Sequence, residues 1–554
     1  MQPDLRSSLR TPILITAAVL AASTPALADP PERFTLTIDP AALDRPYTGR
    51  LYIAFLPADP AADPNSDQAG DPAARATEQP IDRVHDWFNA PPLAAWDVED
   101  LAPGDAVTLE FADALFHTSP AFEDAWGSGQ WQAQAFARVN QDTAKPGTGA
   151  GDPYSEPVVV PMGDPQQQDP QALTPALTLT ATIEAAPFPE SDADKLYSLR
   201  SARLSNFHGR DITMNAAVRL PTNYHETLAK NPSATFPVVY IVTGFGGSHH
   251  ELDRYAGFYT RGADPELLKQ TAPIIVVPDA TNYWGHSVFA NSEVTGPWGD
   301  ALVDELIPAL EDTYRGSGPD HRYVTGVSSG GWSSLWLQIE YPDRFAGCWA
   351  HAPDAVDFRA FQTPNLYQPD ANIYTNADGN PRPIARRTDP NGVDQVMLTA
   401  RDFIARETVM GPGGQIESFE AVFSPARPDG TPQRLFDRDT GDISSETANA
   451  WRPYDITQKT LREMHAKAPD LAGKVRVFGG ELDNFYLGES VRLFRDDLLE
   501  AGVTLASADN HTAIPAQADI RVIEGMPHTL HADGNRAMWA TIGDRWQTRH
   551  DQER

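Results

Sequence analysis

The sequence predicts a doubly wound, mostly parallel α/β sheet, preceded by a small β-sandwich domain and interrupted by a large insertion. Three observations carry that expectation. From about Leu177 onward, continuous apolar or β-branched runs of parallel-sheet type alternate with helical patterns. From about Phe34 to Pro161 the short apolar runs have period two instead, and from about Asp354 to Asp470 neither regularity holds.

In chain order, Phe34–Ile38, Arg50–Phe55, Val107–Phe111 and Trp131–Phe136 alternate with Pro, Gly and Asp breaks between them, which reads as a β-sandwich over residues 29–161. Asp59–Asp71 and Asp142–Asp152 read as mobile loops, and residues 162–176 as an interdomain linker. The second domain, 177–554, carries strands at Val238–Thr243, Ile274–Pro278, Arg322–Thr325, Gly347–His351, Val475–Phe478 and Ile520–Ile523. Between them a helix from Asp300 to Tyr314 lines up Leu302, Val303, Leu306, Ile307, Leu310 and Tyr314, with Pro308 expected to bend it. In such sheets the chemistry gathers at the carboxyl ends of the strands. The insertion of about 354–470 leaves one of those ends and should overhang the site as a cap, with Phe358, Phe361, Tyr367 and Tyr374 reaching a bound group.

A chain of 554 residues is long enough for two domains. Its first residues read as a cleaved signal peptide over 1–28: Arg6 and Arg10, an apolar stretch Thr11–Ser23, then Ala26-Leu27-Ala28 with the cut after Ala28. The chain is therefore expected to be periplasmic or secreted. That apolar stretch is short of the ~18–20 residues a bilayer span needs, and no later segment is long enough. The 76 acidic residues against 43 basic ones give a net charge of −33, which repels phosphate backbones and anionic membranes and argues against both as partners. With one cysteine, Cys348, no intrachain disulfide forms, and its apolar neighbours read as burial of an inert thiol.

The most informative stretch is Gly326-Val327-Ser328-Ser329-Gly330-Gly331, between a strand and an amphipathic helix. This is the pattern of a nucleophile elbow, where a serine occupies a sharp strand-to-helix corner and glycines sit where any Cβ would collide. Ser328 would then need a base and an orienting acid, supplied in the order Ser, Asp or Glu, His. Asp483, after the strand at Val475, is the expected acid, with Glu481 and Glu489 as rivals; His528, after the last strand, is the expected base, with His531 as its rival. Oxyanion donors are expected at the Ser329 N–H and in the turn Thr243–Ser248, at Phe245 first and Gly246 second.

Those segments resemble the putative esterase family of α/β-hydrolases, the esterase D and enterobactin-esterase-like group. The matching residues are Thr243–Gly247, Ile274–Asp279, Asp304–Pro308, Thr313–Arg315, Gly326–Gly331 and Tyr341–Phe345. The resemblance implies an α/β-hydrolase fold, a serine triad of Ser328, Asp483 and His528, and oxyanion donors at Ser329 and Phe245. The chain departs from it in the long insertion and in Ser329, where methionine, phenylalanine or tyrosine is more common.

Other polar features carry less. His249-His250 lacks a third metal ligand at any recognisable spacing, and the Asp/Asn-rich stretch 370–380 lacks the terminal glutamate of a calcium loop, so neither metal nor cofactor is expected. Trp284, Trp298 and Trp332 flank the candidate segments as pocket walls or as core. The leading expectation is an exported serine carboxylic-ester hydrolase acting on a small-molecule or polymer-linked ester through an acyl-enzyme. An acyltransferase on the same triad and a non-catalytic binding protein with a relic hydrolase domain are the alternatives.

Overall fold

The computed structural model describes residues 30–59, 63, 78–127, 129–162, 174–389, 393–504 and 518–552. The signal-peptide reading of residues 1–28, most of the linker reading and most of the Asp59–Asp71 loop lie outside the described residues.

The first domain is built from β1 (Arg33–Ile38), β2 (Tyr47–Pro57), β3 (Leu93–Leu101), β4 (Ala106–Glu110), β5 (Leu115–His117), β6 (Gln130–Ala137), β7 (Pro153–Ser155), β8 (Val158–Pro161) and β9 (Ala176–Thr182). Hydrogen bonds join these strands, the part of the chain expected to form a β-sandwich, into one continuous sheet of order β4-β1-β9-β7-β6-β2-β3-β5, with β8 on β6, and Phe34 of β1 meets Phe55 of β2 at 5.9 Å across it. Strand β9, which the sequence put at the linker–domain boundary, pairs with β1 and β7 and so belongs to this sheet. Along β2, Leu51, Ile53 and Phe55 enter the domain's own core, while Tyr52 and Ala54 enter a second cluster on the other face. Both faces are therefore covered. The Asp142–Asp152 stretch, read as mobile, is instead a tied loop: the buried Asp152 carboxylate accepts backbone N–H bonds from Val139, Asn140, Gly147 and Gly149 at 2.8–3.1 Å.

The second sheet comprises β10 (Asp194–Arg200), β11 (Thr213–Arg219), β12 (Val238–Val242), β13 (Ile274–Pro278), β14 (Arg322–Ser328), β15 (Gly347–Pro353), β18 (Val475–Gly480) and β19 (Asp519–Ile523). Their order is β10-β11-β13-β12-β14-β15-β18-β19. The first three pair antiparallel and the rest parallel. Every residue of β12 and β13 is buried, as the continuous apolar runs require. The helix read at Asp300–Tyr314 contains a wide π-turn at Leu302–Leu306, where the Ile307 N–H reaches the Leu302 carbonyl. Pro308 follows it at the second position of the next segment, so the proline's missing donor and crowded ring fall where the ladder is already open.

Helices α1 (Leu252–Thr260) and α2 (Ser329–Glu340) follow β12 and β14. The insertion holds the hairpin β16 (Pro383–Thr388) and β17 (Asp394–Thr399), then α3 (Ala400–Met410) and α4 (Gln415–Phe423). Helix α5 (Ile456–Leu471), at the end of the stretch read as insertion, is the crossover into β18; α6 (Gly488–Glu500) and α7 (Ala532–Gln552) complete the layers. Strand β2 and helix α3 meet: Arg50 Nη1 donates to Thr408 O at 2.6 Å and Tyr52 Oη to Met410 O at 2.6 Å. Arg406 Nη2 in turn donates to Val84 O at 2.7 Å, and Val409 packs among Tyr52, Ala54 and Phe136. Helix α3 of the insertion is thus fastened to the first domain.

Candidate active site

Strand β14 runs directly into α2 through Ser328, whose φ of +63° and ψ of −129° are strained for any residue with a Cβ. The glycines explain how the corner holds. A Cβ on Gly326 would lie 2.2 Å from the Gly330 carbonyl carbon, on Gly330 2.1 Å from Val242 O, and on Gly331 2.6 Å from His351 O. Helix α2 therefore starts in direct backbone contact with β12 and β15, and Ser329 supplies its first N–H, which no intrahelical acceptor takes.

The glycine turn after β12 lies against the same corner, since a Cβ on Gly244 would be 3.4 Å from both Ser328 Cβ and Val327 O. Thr243 Oγ1 closes the turn by donating to Gly247 O at 3.1 Å, and Gly246 takes φ +80°. Phe245 lines the cavity that Ser328 opens into.

Beyond β18, the buried Asp483 places Oδ2 2.8 Å from His528 Nδ1, while its Oδ1 accepts the Phe485 N–H at 2.8 Å. The two loops touch closely enough that a Cβ on Gly480 would lie 2.2 Å from Met526 O. The His528 N–H donates to Asn484 Oδ1 at 3.0 Å. Arg386 of β16 fastens the acid loop from outside, donating to Asp483 O at 3.0 Å and Glu481 O at 2.9 Å. Burial pushes the His528 pKa down, but the Asp483 charge and hydrogen bond, with the Asp354 charge, outweigh it and hold the imidazole above its ordinary value.

The rivals lie elsewhere. Glu481 Oε2 accepts the Gly525 N–H at 3.0 Å, Glu489 pairs with Arg492 at 2.5 Å, and His531 Nδ1 caps α7 by accepting the Gly534 N–H at 3.1 Å. His249 Nδ1 meets Asp279 Oδ2 at 2.5 Å, an ion-pair geometry. Burial pushes the Cys348 thiol up to about 11.

Ser328 and His528 share one cavity of about 700 Å³. Among the described residues, the Ser328 Oγ bond is to Asp354, whose Oδ1 lies at 3.4 Å, while Asp354 Oδ2 accepts from Ser329 Oγ at 2.5 Å. Burial, relieved in part by Ser329, His528 and Ser328, raises the Asp354 pKa to about 6. The sequence had treated Asp354 only as the start of the insertion. The rule that found Asp483, a carboxylate just past the end of a parallel strand, applies equally to Asp354 after β15.

An aromatic wall closes the cavity. Trp87 of the first domain meets Phe485 at 5.6 Å and Phe245 at 6.2 Å, and Phe485 stands perpendicular to the His528 ring at 4.9 Å. The insertion aromatics do not reach this space: Phe358, Phe361 and Tyr374 are buried in the core, and Tyr367 donates to Asp455 at 2.9 Å. Large rings at the root of an insertion lose most by facing water, so they pack on one another, as Phe358 does on Phe361 and Trp451. Besides Asp354 at its start, the insertion contributes Gln362 and Gln415 to the cavity. Trp332 and Trp298 are likewise core residues, and the half-buried Trp284 lines a separate cavity.

The strand order and the serine corner are those of an α/β-hydrolase-like enzyme. The family described as "Putative esterase" matches residues 208–541, more than half of the chain, so the chain belongs to that family. It is 30% identical over 147 residues to the putative esterase NocK of Nocardia uniformis subsp. tsuyamanensis, a match over 26% of this chain and 40% of that protein. The chain therefore spans well under half of that relative. Among solved structures it is similar to a ferulic acid esterase, at TM-score 0.36 and 14% identity over 64% of this chain and 98% of that one. An S-formylglutathione hydrolase from Agrobacterium tumefaciens gives TM-score 0.34 and 13% identity over 65% and 93%. The fluorophosphonate-binding serine hydrolase FphF of Staphylococcus aureus gives 0.35 and 13% over 64% and 98%. No helix among the described residues is long and apolar enough to cross a membrane.

Proposed function

We propose that the chain is an exported serine carboxylic-ester hydrolase in which Ser328 attacks the ester carbonyl, His528 takes and returns the proton, and Asp483 orients the imidazole. The Phe245 and Ser329 N–H groups stabilise the oxyanion before water releases the acid from an acyl-enzyme. One observation carries the reading: a serine held in a strained corner shares a cavity with an imidazole whose other nitrogen lies 2.8 Å from a buried carboxylate. Strain of this kind persists where surrounding structure enforces it, and it keeps the hydroxyl presented at the sheet edge.

In this reading residues 1–28 are a signal peptide, the first domain and the insertion form a second layer over the catalytic sheet, and Trp87 makes the first domain part of the substrate wall. The acidic surface keeps nucleic acid away. The test is labelling with a fluorophosphonate probe and turnover of p-nitrophenyl acetate, both lost in Ser328→Ala. A wild-type protein that neither labels nor turns over overturns the reading in favour of a binding protein.

A further inference from the structure

Asp354 is a second carboxyl group at the nucleophile, and the triad does not use it. It is 5% exposed, and each oxygen faces a serine: Oδ1 lies 3.4 Å from Ser328 Oγ and Oδ2 2.5 Å from Ser329 Oγ. The charged groups facing it are His528 and Asp483, with the neutral Ser328 and Ser329 as donors. Its position is fixed by the backbone, because its own N–H donates to Ser328 O at 3.2 Å. The Ser329 hydroxyl, on the first residue of α2, holds Oδ2 in place.

The consequence follows the serine through the proposed reaction, on which this inference rests. Once Ser328 Oγ is acylated it carries no hydrogen, and Asp354 Oδ1 loses its donor. A buried carboxylate oxygen left without a donor is costly. A water molecule beside the acyl group restores it. We propose that Asp354 positions the water that hydrolyses the acyl-enzyme. One O–H of that water donates to Asp354 Oδ1 and the other to His528 Nε2. The water oxygen forms a bond to the acyl carbon as His528 takes its proton. His528 then gives that proton to Ser328 Oγ as the acyl C–O bond breaks, and the carboxylic acid leaves. Asp354 begins and ends the step as a carboxylate, and an acceptor alcohol entering the same place would be handled identically.

Stopped-flow turnover of p-nitrophenyl acetate separates the two half-reactions. Asp354→Asn is expected to keep acylation within about threefold of wild type while deacylation falls about 10²-fold, the scale of a misplaced reactant. The nitrophenolate burst would then be followed by a slow steady state. Ser329→Ala, which loosens Oδ2 alone, should move deacylation in the same direction by less, and it carries the burst test should Asp354→Asn fail to fold. Equal losses in both half-reactions, or none in either, overturn the proposal. The His528 imidazole, titrated by NMR, should have a lower pKa in Asp354→Asn, and an unchanged value also counts against Asp354. That titration does not depend on turnover, so the position of Asp354 is tested even if wild type proves inactive and the esterase reading itself fails.

Discussion

His528 Nδ1 lies 2.8 Å from Asp483 Oδ2, two residues 45 positions apart that meet because β18 and β19 are parallel neighbours with loops at the same edge. In the proposed triad the carboxylate would hold the ring in the tautomer with Nδ1 protonated and Nε2 free to act as base. Asp483→Asn is expected to lower kcat about 10³–10⁴-fold through the wrong tautomer. Glu481→Gln and Glu489→Gln, whose side chains bond elsewhere, should stay near wild type in the same assay.

Ser328→Ala and His528→Ala should each leave less than about 10% of turnover; Ser328→Ala should keep thermal unfolding within about 1 kcal/mol of wild type, whereas His528→Ala, which strips the buried Asp483 Oδ2 of its donor, should cost about 1–3 kcal/mol. Ser328→Gly separates strain from chemistry. It should be as inactive as Ser328→Ala but more stable by about 1–3 kcal/mol, because glycine tolerates the φ of +63°. Differential scanning calorimetry of the two variants measures the difference.

Attack requires a neutral imidazole, and the Asp483 and Asp354 charges hold the His528 pKa above its ordinary 6.5 against the opposing effect of burial. The kcat/KM profile should therefore rise with pH through a midpoint above 6.5 and fall away on the acid side. An acid limb centred below 6.5 would mean that the base is not the buried, paired His528.

Trp87 brings a ring of the first domain to the cavity wall, and in the proposed function it helps select the substrate. Trp87→Ala should raise KM for bulky aryl esters several-fold while p-nitrophenyl acetate, which needs little wall contact, keeps most of its turnover. Phe358→Ala and Phe361→Ala should instead cost about 3–5 kcal/mol of stability with no shift in preference, because both rings are core. Steady-state kinetics on a short-acyl and aryl-acyl ester pair, read beside thermal melts, distinguishes the two outcomes.

A second pH dependence, of stability, is expected from Glu407 in the insertion. Burial raises the Glu407 pKa to about 8, and its Oε1 accepts the Gln415 N–H at 2.5 Å. The folded chain then keeps a proton that the unfolded chain releases near pH 4.5, so this group lowers stability as pH rises from about 4.5 to 8. Glu407→Gln keeps an acceptor and should flatten the fall of Tm across that window. A variant whose Tm falls as steeply as wild type would place the titration elsewhere.

Much of the architecture was legible because buried parallel strands must be continuously apolar. The six strands read from Val238 onward all appear, and the elbow glycines sit where a Cβ would strike backbone. Strands β10 and β11 were not read, since β10 is half exposed and its pattern is neither continuous nor cleanly alternating. Strand β9 was misplaced because its Leu177 and Leu179 show alternation without showing which sheet they join. The insertion aromatics could not be told from pocket walls, because a composition rich in rings is common to both.

By itself, the sequence determined the order of elements, the serine corner and the strand ends from which an acid and a base would come. These follow from local physics: apolar periodicity, turn sterics and the reach of a side chain from its own backbone. Only the tertiary structure decided which distant groups meet. It brought Asp483 to His528, set Asp354 against both Ser328 and Ser329, and carried Trp87 from the first domain into the cavity wall. Such contacts depend on strand order and domain docking, which sum many weak burial terms over the whole chain and leave no mark at any single position.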